Sequence, residues 1–384
     1  MKPALKAHQY VCRIFEENRA STTAGVGFVI DDRHIVTCAH VVNTALGRDE
    51  RAQVPPSRAS RILVDFPMSS VTPEASVRTF TVVPTAWKPP GSAPGSFVPE
   101  FAGLELAAGE ELPPEIGFAP LVNHKWVIPD GSQSTRMALY GYPSGRPSTW
   151  SRGRFAGMVD HGMLQFEGDS AVNPQAGFSG SPLIVEGNND GPDYAVGMLA
   201  FAGGGTDRDA CCVSVMDIWK FWPQLRAAMI RTLIARLWSR YLKKESAWAG
   251  PRFQVAPSFD LTARQTIAAR HKLQADEEVI GLYVSSPFLS SFRPVGMSIA
   301  ITTLGVSIRP EGVFAKPCYI SYKQMPDYSV TRERDTVYGS QATTSTWFLK
   351  IRDGNGRTIF SVPGDMHYEL FSKIHDLMRG QETR

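Results

Sequence analysis

Ile35-Val36-Thr37-Cys38-Ala39-His40 and Gly177-Phe178-Ser179-Gly180-Ser181-Pro182 are the two stretches whose reading decides the fold. The first follows Gly25-Val26-Gly27-Phe28-Val29-Ile30, an apolar run that breaks at Asp31-Asp32-Arg33 and resumes at His34, as two strands joined by a tight turn would. His40 then lies just past a strand end, where a rigid scaffold can aim its imidazole. In the second stretch Gly177 and Gly180 let the backbone bend sharply, so the amides of Gly177 and Ser179 can point at one developing oxyanion. A serine hydroxyl needs such help, and a neighbouring base, to act as a nucleophile at neutral pH. Either stretch alone is better read as a buried strand end or a Gly-Ser-Pro turn; their joint presence, in this order and separation, reverses that preference in favour of a paired base and nucleophile.

With these residues the chain resembles the chymotrypsin-like serine peptidases, in particular the disulfide-free, HtrA-like bacterial branch. The resemblance spans about residues 6 to 222. Leu139-Tyr140-Gly141-Tyr142-Pro143 is similar to the strand and turn opening that family's second barrel, and Tyr194 to Gly203 to the strand lining its substrate cleft. The resemblance implies a mainly β fold of two six-stranded antiparallel barrels with a C-terminal helix. It implies His40 as general base, Ser179 as nucleophile, and the amides of Gly177 and Ser179 as the oxyanion hole.

Two positions depart from the family pattern. The family's orienting aspartate opens a strand of the form Asp-apolar-Ala-x-Leu-x-Leu, and the matching stretch here is Glu100-Phe101-Ala102-Gly103-Leu104-Glu105-Leu106. Glu100 therefore holds the acid's place with one extra methylene; Asp65 and Asp130 are the competing acids, and an incomplete, inactive triad is the remaining reading. Phe178 stands where secreted relatives carry an activating aspartate, so a cleavage-triggered switch of that type is not expected. The resemblance also puts Asn173 at the floor of the substrate pocket and Ala200, Phe201 and Ala202, with Ala210 and Cys211, along its walls. With no carboxylate among these, small, apolar or neutral polar substrate side chains are expected.

Composition sets the wider frame. A chain of 384 residues with 43% hydrophobic and 20% charged residues is ordinary globular material, long enough for two cores. A formal charge of +3 is too small to point to nucleic acid. Cys12, Cys38, Cys211, Cys212 and Cys318 form neither a disulfide framework nor a metal motif, so no metal or cofactor is expected. Met1-Lys2-Pro3-Ala4-Leu5-Lys6 leads into polar sequence rather than a signal peptide, and no stretch is continuously apolar enough to span a membrane. A cytoplasmic location is the expectation.

Past Ile218 the period changes from strand to helix. Pro223 suits a first turn, and Leu225, Met229, Leu233, Leu237 and Tyr241 recur every four residues opposite Arg226, Arg231, Arg236 and Arg240. Such a basic amphipathic helix suits an anionic membrane surface or an acidic partner, but packing between domains with solvated arginines is favoured. The expected domains are 1–222, a helix and linker over 223–260, and a second domain over 261–384. In the last, strands are expected at Glu277–Val284, Met297–Thr302, Cys318–Tyr322, Trp347–Ile351 and Thr358–Val362. A closing helix would run from an Asp365 cap to Gly380, with Phe371 and Ile374 on its apolar face. This pattern, with the Thr303-Leu304-Gly305-Val306 turn, weakly resembles bacterial pleckstrin-homology-like domains and implies a small barrel plugged by a helix. Its Ser285–Pro294 loop offers Phe288, Leu289 and Phe292 but only Arg293 as a base, which favours a protein partner over a phosphoinositide. Two functions follow: an intracellular serine endopeptidase steered by its C-terminal domain, as in bacterial stress or phage-defence modules, or an inactive peptidase-like scaffold that binds peptides, with the Lys88–Pro99 loop in its recognition surface.

Overall fold

The carboxylate of Asp31 closes the first hairpin: one oxygen accepts the N–H groups of Arg33 and His34 at 2.9 and 2.8 Å, and the same oxygen meets His34 Nδ1 at 2.8 Å. This Asx-type turn reverses the chain between the strands that the sequence places on either side of it. In the computed structural model the described residues are 7–16, 19–67, 79–93, 98–113, 115–129, 133–143, 148–187, 193–202, 208–242, 252–255, 261–274, 277, 279–285, 297–310, 318–322, 324–338, 343–363, 371–372 and 374–375. The chain divides into two compact units, residues 1–228 and 229–384.

The first unit holds two closed antiparallel barrels. Strands β1 (Val11–Glu16), β2 (Arg19–Val29), β3 (His34–Thr37), β4 (Ile62–Asp65), β5 (Thr79–Lys88) and β6 (Phe101–Leu106) close in the order β1-β2-β3-β6-β5-β4, with helix α1 (Ala39–Ala45) after β3. Strands β7 (Arg136–Gly141), β8 (Thr149–Val159), β9 (Met163–Gly168), β10 (Pro182–Val185), β11 (Tyr194–Ala202) and β12 (Asp209–Ser214) close in the order β10-β11-β12-β9-β8-β7. Closure removes every sheet edge, and each barrel fills its interior with inward-facing side chains. Val11, Ile14, Val26, Phe28, Ile35 and Val36 are fully buried in the first, and Leu139, Phe166, Phe178, Leu183 and Val196 in the second. The connection between barrels touches both, since Ala119 N–H donates to Val29 at 2.8 Å and Val122 N–H to Ala195 at 3.1 Å. The mainly β, double-barrel architecture is as expected.

After β12, Ser214 caps helix α2 (Val215–Trp219) by accepting Met216 N–H at 3.2 Å. Trp222 then lies over the first barrel, where Gly103 has no side chain to obstruct it: a Cβ there would sit 2.6 Å from the indole ring. Helix α3 (Pro223–Leu242) buries Leu225, Met229, Ile230 and Leu233, so this part of its apolar face is covered by protein; its side chains from Arg236 onward lie outside the described residues.

In the second unit, β13 (Arg252–Val255), β14 (Val279–Ser285), β15 (Met297–Thr302), β16 (Gly305–Pro310) and β17 (Cys318–Ser321) form one antiparallel sheet in chain order. Strands β18 (Ser329–Tyr338), β19 (Thr343–Arg352) and β20 (Thr358–Pro363) form a second. Strand β13 lies in the stretch read as linker, and helix α4 (Leu261–His271) has no counterpart in the sequence reading. The pattern missed α4 because Ile267 is the one hydrophobic side chain buried among the described residues of the helix, packed against Val279 and Ala300, so the apolar stripe is thin. Phe371 and Ile374 are helical and buried, while Asp365, Gly380 and the loop aromatics Phe288, Leu289 and Phe292 lie outside the described residues.

Candidate active site

His40 is the second residue of α1, so its backbone N–H is one of the helix donors with no partner in the preceding turn. Cys38, at the cap position, does not serve that end of the helix with its side chain; its thiol donates instead to Leu199 O at 3.0 Å. Glu100 supplies the acceptor. Its Oε2 accepts the His40 N–H at 2.9 Å, and its Oε1 meets His40 Nδ1 at 2.7 Å. One carboxylate thus fixes both the main chain and the ring of the same histidine.

Strand register explains how a residue far along the chain arrives there. In the β3–β6 ladder Thr37 faces Ala102, so continuing the antiparallel pairing outward brings Glu100 opposite Ala39, beside His40. Glu100 is fully buried, 0% exposed, and a buried carboxylate is tolerable only where donors face it, as these two do. With Nδ1 donating to this carboxylate, the proton resides on Nδ1 and the lone pair on Nε2, the state a general base requires.

Ser179 lies on the turn between β9 and β10. Phe178 before it is wholly buried in the second barrel's core, its ring against Gly141, where a Cβ would come within 2.6 Å of the ring. Burial of that ring stabilises on the order of 2–3 kcal/mol and anchors the turn from inside. Gly177 and Gly180 both have positive φ, at 92° and 88°. A Cβ would approach Tyr142 O to 2.3 Å at Gly177 and Val26 O to 1.9 Å at Gly180, so glycine is required twice over.

Three main-chain N–H groups around Ser179 donate to protein carbonyls. Phe178 N–H donates to Gln175 O, Gly180 N–H to Leu199 O and Ser181 N–H to Phe178 O, all within 3.0 Å. The N–H groups of Gly177 and Ser179 donate to no protein group among the described residues. Carbonyls are anchored on both barrels: Ser179 O accepts Val26 N–H at 2.9 Å, and Gly177 O accepts Tyr142 N–H at 3.0 Å. Gly25 marks the point where the halves meet, since a Cβ on it would lie 2.6 Å from Val41, next to His40, and 2.9 Å from Ser179 O.

The other acids are placed elsewhere. Asp65 is bound by Arg13, Nε to Oδ1 at 2.9 Å, and Asp130 lies outside the described residues. Of the pocket residues, Ala200 is buried, and Phe201 and Ala202 are half-buried on β11 opposite Cys211 and Ala210; Asn173 is half-buried just before Pro174. Among the described residues no group of three or more His, Cys, Asp or Glu side chains is arranged to hold a metal. All five cysteines are free. Burial pushes the thiols of Cys12, Cys38 and Cys212 upward, with Glu100 adding to the effect at Cys38, so the thiol near His40 is held neutral.

Sequence reading missed one supporting residue, Arg13. It pairs with Asp65 across β1 and β4 and stacks over Tyr142, its guanidinium carbon 5.5 Å from the ring centre. Tyr142 in turn holds the Gly177 carbonyl. Only closure of the first barrel brings the two together, and no local pattern signals it.

Comparison with known proteins gives a family-model match and similar solved structures. The family model of the trypsin-like peptidase domain matches residues 25–191, which include His40, Glu100 and Ser179. A search of curated proteins gives no match. Among solved structures the chain is similar to the inactive form of a serine-to-alanine mutant of Rv3671c from M. tuberculosis H37Rv, at 16% identity over 58% of this chain and 88% of that one, with a TM-score of 0.37. It is similar to Deg5 at 18% identity over 57% and 90%, with a TM-score of 0.37. Human heparin binding protein matches at 15% identity over 66% and 98%, with a TM-score of 0.40.

Proposed function

From the premise that residues 25–191 match the trypsin-like peptidase domain, we propose that this chain is a serine endopeptidase working through an acyl-enzyme on Ser179. The observation that carries this reading is the doubly bonded Glu100 on His40, a fully buried carboxylate holding a half-buried histidine by its main chain and its ring. In the first step Ser179 Oγ attacks the scissile carbonyl carbon while His40 Nε2 takes the hydroxyl proton, and Glu100 stabilises the imidazolium that results. The carbonyl oxygen, now an oxyanion, receives the N–H groups of Gly177 and Ser179, which no protein group among the described residues engages. His40 returns the proton to the leaving amine as the C–N bond breaks, and water repeats the sequence on the acyl-enzyme, releasing the acid and Ser179.

Asn173, Ala200, Phe201 and Ala202 are the side chains we place around the substrate residue preceding the cleaved bond. The residues of the catalytic set all belong to the first unit, so we assign the second a recruiting or sensing role toward a protein partner, as a PH-like interaction domain. Five free cysteines favour a reducing, cytoplasmic setting, and a bacterial stress or phage-defence effector is the biological role we attach to it by family analogy.

A fluorophosphonate probe tests the chemistry directly. It should label Ser179 in the wild-type chain, not at all in Ser179→Ala, and far more slowly in His40→Ala. An unlabelled wild-type protein, with cellular extract present as well as absent, would overturn the proposal.

A further inference from the structure

We propose that a pocket at the far end of α1 is a subsite for an acidic side chain of the peptide substrate; the inference rests on the peptidase reading above. The pocket belongs to the segment that leaves α1 and runs to β4. That segment is folded back on the helix by Asn43, three residues after His40: its buried amide donates to the carbonyls of Glu50 and Ala52 at 3.0 and 3.2 Å, and its own carbonyl accepts Arg48 N–H at 2.8 Å. The same segment is tied to the chain approaching Glu100, because Gln53 Nε2 donates to Pro90 O at 2.8 Å and Trp87 Nε1 to Gln53 O at 3.2 Å. A substrate group bound here would touch a segment braced on the histidine's helix and on Trp87 and Pro90.

The cavity has a volume of about 300 Å3, with Leu46, Pro55 and Pro56 as apolar wall and Arg48, Arg61 and Ser60 as its polar lining. Its charge is unbalanced. Arg13, Arg33, Arg136, Arg152 and Arg154 each pair with a carboxylate, whereas Arg48 and Arg61 make no ion pair among the described residues. Their guanidinium groups donate to main-chain carbonyls instead, Arg48 to Val54 at 2.5 Å and Arg61 to Ala59 at 3.2 Å, and Arg48 Nη1 is buried with no partner. Carbonyls satisfy geometry without cancelling charge, so two cations line one cavity of side-chain size. A carboxylate is the complementary group, and guanidinium is the cation best shaped to receive it.

Position sets where in a substrate that carboxylate would be. Along α1 the path from His40 to Leu46 is about 9 Å at the helical rise of ~1.5 Å per residue. An extended peptide advances ~3.3 Å per residue, which places the acidic residue about three positions from the bond being cleaved.

The test uses the full chain and two readouts. The Ser179→Ala protein is titrated at low salt with fluorescein-labelled hexaglutamate and with hexaglutamine, followed by anisotropy. Hexaglutamate should bind selectively, and Arg61→Gln should weaken it measurably, by up to about fivefold, the upper worth of one exposed ion pair. Arg58→Gln removes the same charge from an exposed arginine of the segment outside the pocket lining and should leave binding unchanged. Equal binding of both peptides, no binding, or equal weakening by Arg58→Gln and Arg61→Gln overturns the pocket. Thermal unfolding of each variant checks that it is folded, and Arg61→Gln is the informative one because its side chain is exposed. The active chain is then given a mixed peptide library: enrichment of Asp and Glu about three positions from the cut, lost in Arg61→Gln, supports the subsite. Cleavage without that enrichment overturns the subsite and leaves the peptidase reading intact. Selective hexaglutamate binding with neither cleavage nor probe labelling overturns the peptidase reading and, with it, the substrate role of the pocket.

Discussion

Glu100 serves the helix terminus and the imidazole at once, so its two oxygens are separable by mutation. Glu100→Gln keeps the size but leaves an amide that cannot accept from both the His40 N–H and Nδ1–H with full charge. Turnover of a peptide substrate should fall by about 10⁴-fold, the scale seen when an orienting carboxylate becomes an amide. A rate within tenfold of wild type would remove Glu100 from the mechanism. Gly180 offers a structural counterpart: Gly180→Ala must place a Cβ 1.9 Å from Val26 O at a positive φ, and should lower stability by more than about 2 kcal/mol with loss of probe labelling. The thiols give a third check at this scale. Under native conditions iodoacetamide should reach Cys211 and Cys318, which are partly exposed, and leave Cys12, Cys38 and Cys212 unmodified by mass spectrometry. Native alkylation of Cys38 would contradict its burial beside the site.

Strands carry the next level of organisation. The β2–β3 hairpin and the β6 strand were legible because Gly25–Ile30, Ile35–Thr37 and Phe101–Leu106 are short apolar runs bounded by polar or turn residues. Less legible was the pairing of β1 with β4, which sets Arg13 against Asp65, a carboxylate only 3% exposed. Arg13→Met would leave that carboxylate buried without its partner, and breaking such a pair costs about 3 kcal/mol. Chemical denaturation should show the loss, and Arg13→Met/Asp65→Leu should recover part of it. Failure of the double variant to recover anything would mean that Arg13 acts chiefly through its contacts with Tyr142 and Phe15. Helix α4 illustrates the opposite limit, since a thin apolar stripe gives the helical period little amplitude.

For the whole molecule, the second unit carries a built-in sensitivity to acid. There His271 is enclosed by Ser307 Oγ at 2.9 Å from Nδ1 and Ser298 Oγ at 3.1 Å from Nε2, and burial, with Arg270 and Arg309 nearby, lowers its pKa to about 4. The folded state therefore disfavours the proton that the unfolded chain accepts near pH 6.5. Stability from this group is complete above about pH 6.5 and is lost as pH falls toward 4, where both states are protonated. Melting temperature measured across that interval should fall, and His271→Asn should flatten the dependence. An unchanged slope in the variant would place the acid sensitivity elsewhere. The double barrel was implied by the chain's resemblance to a peptidase family, and His40, Ser179 and Glu100 were marked as candidates, with Asp65 and Asp130 as rival acids, because the motifs that carry the resemblance are local. Three things waited for the tertiary structure: the contact of Glu100 with both donors of His40, the brace of Arg13 on Tyr142 and Gly177, and the uncompensated arginines at the end of α1. Each depends on how distant strands align when the barrels close, and register between segments tens of residues apart leaves no periodic mark in the sequence.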